Sequence, residues 1–441
     1  MRAIVDEGRF TIDTYWEQYT HKVDYAYKDG HYFSDRPPGV AFLGVPFYAV
    51  GKMLSAAFGW NEEVVGKHFV LLVPVWFGAF TVLLLIRMMI RLGVSESSAW
   101  VAGLLYAFAS MHWKFAAHLY NHVFDAFWFV ALWYLAMDGL DFTQSRRREK
   151  LFCLLLASFP VISYPAGMFW GFFLLYVLVD PRSKIVPRNG GDLRALAKNA
   201  GFFLLPLLLV GFYHTVCFGA PWTTFSKWHN PDLFAFFKDP LTMFDTPFKV
   251  GAKRLLFGLP DPYPIGFFVL HPVLILSVWG FWYYFRARTL MVAAQIVMSL
   301  AWFTLYAKFR QFDGGSSGDP RYLMLFLGLM FIPVAFWLDR VPGRMKSAPW
   351  RAVFLLPFAF LAAAGFFVCF IHLAEYFGHD LDVKKNIAHF SLVSRSGISV
   401  ILNRAFVSWR KLPWYFATLA GAGVLWAAGY ASVAAWRRKR Q

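Results

Sequence analysis

Four short stretches of this 441-residue chain carry the side chains that could do chemistry. In Ser34-Asp35-Arg36-Pro37-Pro38-Gly39 a carboxylate and a guanidinium stand side by side before two prolines. Consecutive prolines stiffen the backbone and forbid a helix across them, so this pair would be held at a rigid turn and offered to a substrate. The same residues also read as a helix start with Asp35 as its cap. In the second stretch His118, Asn121, His122 and Asp125 recur at intervals of three and four. That spacing puts His118, His122 and Asp125 on one helical face. Ionisable groups in an apolar helix are costly, so they line a cavity, satisfy one another or bind metal. A polar substrate cavity is the expectation, since the neighbouring sequence lacks an open tetrahedral ligand set; no metal and no cofactor is expected. The third stretch, Ser163-Tyr164-Pro165, breaks an apolar run and sets the Tyr164 hydroxyl at a turn, which alone is a structural corner. The fourth is the glycine-rich Phe312-Asp313-Gly314-Gly315-Ser316-Ser317-Gly318-Asp319-Pro320-Arg321-Tyr322. Backbone amides of such a loop can cradle phosphate, and Arg321 at a helix start can grip it with two parallel hydrogen bonds. No Walker lysine accompanies it, and a plain connector would have a similar composition.

Long apolar runs must position these groups. Hydrophobic residues make up 58% of the chain and aromatic ones 20%. Runs of about 20 apolar residues read as membrane helices; they fall near 63–90, 96–114, 119–138, 151–164, 166–179, 199–218, 264–285, 289–308, 321–338, 352–373 and 413–436. The fold class is thus an all-α, polytopic membrane protein of about 11 spans. Residues 1–62 form an extracytoplasmic N-terminal juxtamembrane segment, 63–436 the transmembrane domain and 437–441 a basic cytoplasmic tail. Within the first segment, Val40 to Phe58, shortened by Pro46 and Gly51, reads as an amphipathic helix lying at the interface, with a tilted span as the alternative.

Orientation follows from the basic residues, which sort onto alternate loops. Arg87 and Arg91, Arg146 to Arg148 with Lys150, Arg182, Lys184, Arg188, Arg194 and Lys198, Arg286 and Arg288, then Arg340, Arg344, Lys346 and Arg351 share one side with the tail. By the positive-inside rule that side is cytoplasmic. The net charge of +17 therefore reports membrane orientation, and no nucleic-acid partner is read from it. One loop dissents, 374–412, which falls outside yet carries Lys384, Lys385, Arg395, Arg404, Arg410 and Lys411. Long segments lie outside, so an active site should face outward. An odd number of spans with a cytoplasmic tail puts Met1 outside, although residues 1–62 hold no signal peptide; a lost first span upstream of Met1 is the expectation. Cys153, Cys217 and Cys369 all lie in apolar spans and read as small buried residues.

Gly30-His31-Tyr32-Phe33-Ser34-Asp35-Arg36-Pro37-Pro38-Gly39 followed by Val45-Pro46-Phe47-Tyr48 resembles the first external loop of bacterial C-type membrane glycosyltransferases of the protein O-mannosyltransferase and aminoarabinose-transferase type. The resemblance continues through His118-Leu119-Tyr120-Asn121-His122, Tyr164-Pro165, Leu256-Phe257-Gly258-Leu259-Pro260 to Leu270-His271-Pro272-Val273, and Pro320-Arg321-Tyr322-Leu323. It implies transfer of a sugar from a polyprenyl-phosphate carrier to a lipid, glycan or protein acceptor, outside the cytoplasm at the plasma (inner) membrane. In such enzymes an acidic residue of the first loop takes the acceptor proton and basic residues hold the lipid phosphate. Carried onto this chain, the resemblance implies Arg36 and Arg321 as phosphate ligands and Asp35 as an acidic site residue. It makes His31, Tyr32, His118, His122, Asp125, Tyr164 and Tyr322 substrate contacts, with Lys308 and Arg310 as further phosphate contacts or interfacial anchors. The family's acidic motif lies just after the first span, which puts the principal base upstream of Met1; otherwise Asp35, Asp6 or Glu7 must substitute. Two other readings compete: a transporter or lipid flippase with Asp125 and the histidines as a relay, and a catalytically silent homologue that binds carrier lipid.

Overall fold

A chain this apolar satisfies its backbone mainly inside helices, and apart from one small hairpin and the connecting loops the described residues do so. The computed structural model describes residues 1–17, 24–144, 146–230, 240–258, 266–311, 319–341 and 355–370. Among them, five helices are long and apolar enough to cross a membrane: Pro38–Phe58, Glu62–Arg91, Gly190–Phe218, Thr289–Lys308 and Arg321–Arg340. Tyr164–Val179 and Leu355–Phe370 are shorter apolar helices. The protein is all-α and built for a membrane, but at this length five described helices stand where eleven spans were expected. The expected 96–114 span stops as a helix at Phe108, where the Ser110 hydroxyl turns back to the Tyr106 carbonyl and accepts from His112 N. Pro272 splits 264–285 into Phe267–Leu270, a 3-10 turn Pro272–Leu276 and Ser277–Ala287. The expected 413–436 span, the 374–412 loop and the tail lie outside the described residues. Val40 to Phe58, read as an interfacial helix, lies within a single helix that is also long and apolar enough to span. Proline at the first helical position is pre-set for a helix, and Pro38–Phe58 then runs through Pro46 without interruption.

The chain divides into two compact units, Met1–Thr81 with Phe115–Pro247 and Leu290–Arg310, and Val82–Lys114 with Phe248–Thr289 and Gln311–Gln441. The first unit is centred on Asn121–Ala136, whose faces are buried nearly all round. It packs on Arg147–Ile162, which packs in turn on Gly190–Phe218. Phe169 is buried against the first two of these helices and Thr289–Lys308, 5.1 Å from Phe129 and stacked on Phe159 (5.7 Å) and Trp302 (5.3 Å). At the end carrying the basic loops, residues 137–146 and 180–189 are fastened together. Lys184 N donates to the Leu140 carbonyl and Phe142 N to the Lys184 carbonyl, both at 2.8 Å. Arg182 donates to Asp180 through Nε and Nη2 (2.8 and 2.9 Å) and through Nη1 to the Met137 carbonyl (2.9 Å). Burial pushes the Asp180 carboxyl up, but the Arg182 hydrogen bonds outweigh it and hold it below the usual range.

The opposite end of this unit carries the hairpin Ala26–Lys28 and His31–Phe33, turned by Asp29 and Gly30, both at positive φ. A two-stranded hairpin alone is marginal, and this one is propped on both faces. Asp13 accepts from Tyr32 N (2.7 Å) and pairs with His31 Nδ1 (2.8 Å), while Trp16 stacks on Tyr32 at 4.0 Å. His229 bridges to Ala26 and Asn230 N donates to the Tyr25 carbonyl, so the 225–230 segment borders the hairpin.

In the second unit Met324–Arg340 is buried along most of its length and packs on Ser277–Ala287 and Glu96–Phe108. Gly280 makes the first of these contacts possible, since a Cβ there would meet the Pro333 carbonyl. His271 donates through Nδ1 to the Phe267 carbonyl (2.7 Å) and accepts from Met111 N (3.1 Å), which ties Phe267–Leu270 to the 109–111 turn.

Candidate functional site

The Pro37-Pro38 step does hold the residue pair before it, although differently from either expectation. Pro37 itself caps the Pro38–Phe58 helix and no side chain bonds there, so Asp35 is not the cap. Its carboxylate is instead buried, 2% exposed, and pairs with His229 Nε2 at 2.9 Å. Arg36 points outward with its side chain 59% exposed, steered by Asp35 (3.4 Å) on one side and Asp24 (3.0 Å) on the other. An exposed guanidinium aimed by two carboxylates is a ready anion contact; a carboxylate buried between a histidine and an arginine is a fixture. The partner of Asp35 lies 194 residues away, and nothing in the composition of the 219–263 segment marks His229.

Ser163 and Tyr164 arrive at the same end. The expected corner is a 3-10 turn, Tyr164–Met168, between Arg147–Ile162 and Phe169–Val179. Gly39 lies so close to the Val161 carbonyl and Ile162 that the start of Pro38–Phe58 rests on this corner. The Tyr164 hydroxyl meets His214 Nε2 at 2.7 Å, and His214 Nδ1 donates to the Pro221 carbonyl at 3.1 Å. A carbonyl can only accept, so Nδ1 carries the ring proton and in neutral His214 Nε2 accepts from Tyr164. Phe225 joins this pair to the first, 5.8 Å from the Tyr164 ring and 5.6 Å from the His229 ring. Among the described residues, no group of three or more His, Cys, Asp or Glu side chains could hold a metal.

His118, His122 and Asp125 do not share a helix face as expected. The helix begins at Asn121, and His118 lies in the turn before it. His122 and Asp125 are on the helix, both buried, with His122 Nδ1 3.8 Å from the Asp125 carboxylate. Ser163 hydrogen-bonds the same carboxylate, which joins this helix to the Tyr164 corner.

No protein-family model, curated protein or solved structure matches the chain.

Asp6 belongs to a separate cluster of the first unit. It is bound by Lys52, accepts from Tyr48 (3.2 Å) and Tyr15 (3.3 Å), and has Arg2 at 3.7 Å. Partial burial raises its carboxyl, but the Lys52 hydrogen bond and charge and the two tyrosine hydroxyls outweigh this and hold it below the usual carboxylate range. Glu7 is half-buried beside it. At the end of Thr289–Lys308 the Lys308 carbonyl accepts from Thr246 N, and Arg310 stands 3.9 Å from Asp245.

Arg321 and Tyr322 belong to the second unit, where they open the 3-10 turn Arg321–Leu323 with the guanidinium over the Tyr322 ring at 5.4 Å. The glycine-rich 312–318 stretch lies outside the described residues. Asp319, immediately before Pro320-Arg321, is fully buried and pairs with buried Lys114 at 2.6 Å. This pair had one visible signal, a lysine inside the mostly apolar run Phe108 to Phe115.

Proposed function

We propose that the protein transfers a sugar from a polyprenyl-phosphate donor to a lipid, glycan or protein acceptor at the extracytoplasmic face of the plasma membrane. The observation that supports this reading best is the convergence of Asp35, Arg36, Asp125, Ser163 and Tyr164, remote in sequence, with His214 and His229 at one end of the first unit. In the proposed reaction the acceptor oxygen attacks the anomeric carbon and gives up its proton to a carboxylate. The bond from that carbon to phosphate oxygen breaks, and its electron pair leaves with polyprenyl phosphate. Arg36 is the cation suited to that departing charge, because it is exposed, permanently charged and already oriented. Of the three candidate bases, Asp6 is held by Lys52, which lowers its appetite for a proton, and Asp35 is buried against His229; Glu7, partly exposed beside Asp6, is the most open.

The test is release of polyprenyl phosphate from a labelled polyprenyl-phosphate hexose by the protein in proteoliposomes. Arg36→Ala should cost roughly 10- to 1000-fold in turnover, and Arg36→Lys should recover only part, since an ammonium cannot form the two parallel bonds of a guanidinium. Arg146→Ala, in an exposed basic loop, should turn over donor like the parent. Parent-like turnover by Arg36→Ala would remove Arg36 from the site, and no release from any hexose or pentose donor would overturn the transferase reading.

A further inference from the structure

A buried carboxylate oxygen with no donor is expensive and persists only where something else offsets it. Asp125 has one. Its Oδ2 accepts from Asn121 Nδ2 at 3.1 Å, the Ser163 hydroxyl also reaches the carboxylate, and His122 Nδ1 stands 3.8 Å from Oδ2, beyond hydrogen-bond range. Oδ1 meets no donor among the described residues, although the residue is only 2% exposed. One helical turn above it, Tyr120 and Asn121 are partly exposed. The surroundings are aromatic: Phe115 lies edge-on to His122 (5.4 Å) and Tyr120 stacks on His122 at 6.4 Å.

We propose that Asp125 Oδ1 accepts a hydrogen bond from a ring hydroxyl of a sugar bound beneath Tyr120 and Asn121. This assignment rests on the transferase reading and names a contact within it. A carboxyl oxygen without a donor is satisfied by a hydroxyl and not by the acceptor oxygens of a phosphate, while flat rings suit the apolar C–H faces of a sugar. The carrier phosphate is therefore excluded from this spot, which fits a sugar subsite next to, and separate from, the guanidinium of Arg36. The hydroxyl could belong to the sugar on the carrier or to a sugar acceptor, and the two sources are separable.

The full chain in nanodiscs is titrated with a polyprenyl-phosphate hexose, its singly deoxygenated analogues, free polyprenyl phosphate, and the methyl hexosides with their deoxy forms as acceptor mimics. One deoxy analogue should bind the parent roughly 10- to 100-fold more weakly than the complete sugar. Asp125→Ala should bind the complete sugar as weakly as the parent binds that analogue, no longer tell the two apart, and bind free polyprenyl phosphate as before. Discrimination among the carrier-linked sugars assigns the hydroxyl to the donor, and discrimination among the methyl hexosides assigns it to an acceptor. Asp125→Asn keeps an acceptor oxygen and should keep part of the discrimination, which separates loss of the contact from loss of the fold. Were both variants to discriminate like the parent, with a raised thermal midpoint, Oδ1 would hold only an ordered water and the assignment would fall. Were the parent to bind neither sugar series, the transferase reading would fall first and carry this one with it.

Discussion

At the scale of single residues, the site is a set of partners that neighbours in sequence could not reveal. Asp35 and Arg36 were visible as a pair held by two prolines, but the prolines separate them: one side chain goes inward to His229, the other outward to solvent. Sequence periodicity reports neighbours three or four apart, and so it found His122 with Asp125; His229 and His214 are brought in by tertiary packing alone. Asp6 illustrates the electrostatic side. Its folded carboxyl lies below its unfolded value near 3.9, so the charged form is the one the fold prefers. The resulting stability is complete above the unfolded value and fades as pH falls through the folded one. Asp6→Asn should therefore lower unfolding stability in detergent by about 1–3 kcal/mol at pH 7, and the gap should close in strongly acidic buffer. A gap that stayed constant with pH would mean that Lys52 and the tyrosines hold Asp6 by shape and not by charge.

At the scale of elements, prolines divided the legible from the illegible. Pro165 ended a helix as read and Pro272 split one that was read as continuous, whereas Pro46, Pro74, Pro206 and Pro333 lie inside long ones. An apolar environment makes unwinding costlier than the one lost hydrogen bond, so an internal proline is kept within the helix. Pro333 also shows how closely two helices approach. Alanine at position 280 would gain up to about 1 kcal/mol of helix propensity over glycine. Its Cβ would also press on the Pro333 carbonyl and Trp337 N, which overpacking precedents set at about 1–3 kcal/mol. Gly280→Ala should accordingly lower the thermal midpoint of the detergent-solubilised protein; an unchanged or raised midpoint would show that the two helices can part at no cost.

At the scale of the whole molecule, the all-α, membrane-embedded character followed directly from apolar run length, while the number of spans did not, because short buried helices and long lipid-facing ones have the same composition. Gly190–Phe218 presents Leu205, Leu208, Leu209 and Phe212 outward, a surface that needs lipid against it. Orientation rests on the charge pattern, and it is checkable. In a variant whose three buried cysteines are replaced, Tyr27→Cys at the hairpin should react with an impermeant thiol reagent in intact cells, and Arg188→Cys only after permeabilisation. The reverse result would turn the molecule over and move the proposed site to the cytoplasm. The fastening of the 137–146 and 180–189 loops bears on the chain as a continuous thread. Leu140, Phe142, Ser183 and Lys184 tie the two sides of the Ser163–Tyr164 corner together from the far end of the unit, so that corner is not the only link between them. Two separately expressed pieces, 1–163 and 164–441, should then find each other in one membrane and co-purify, with Arg182→Ala weakening their recovery; pieces that never associate would show that the covalent corner, and not the clasp, holds the halves in register.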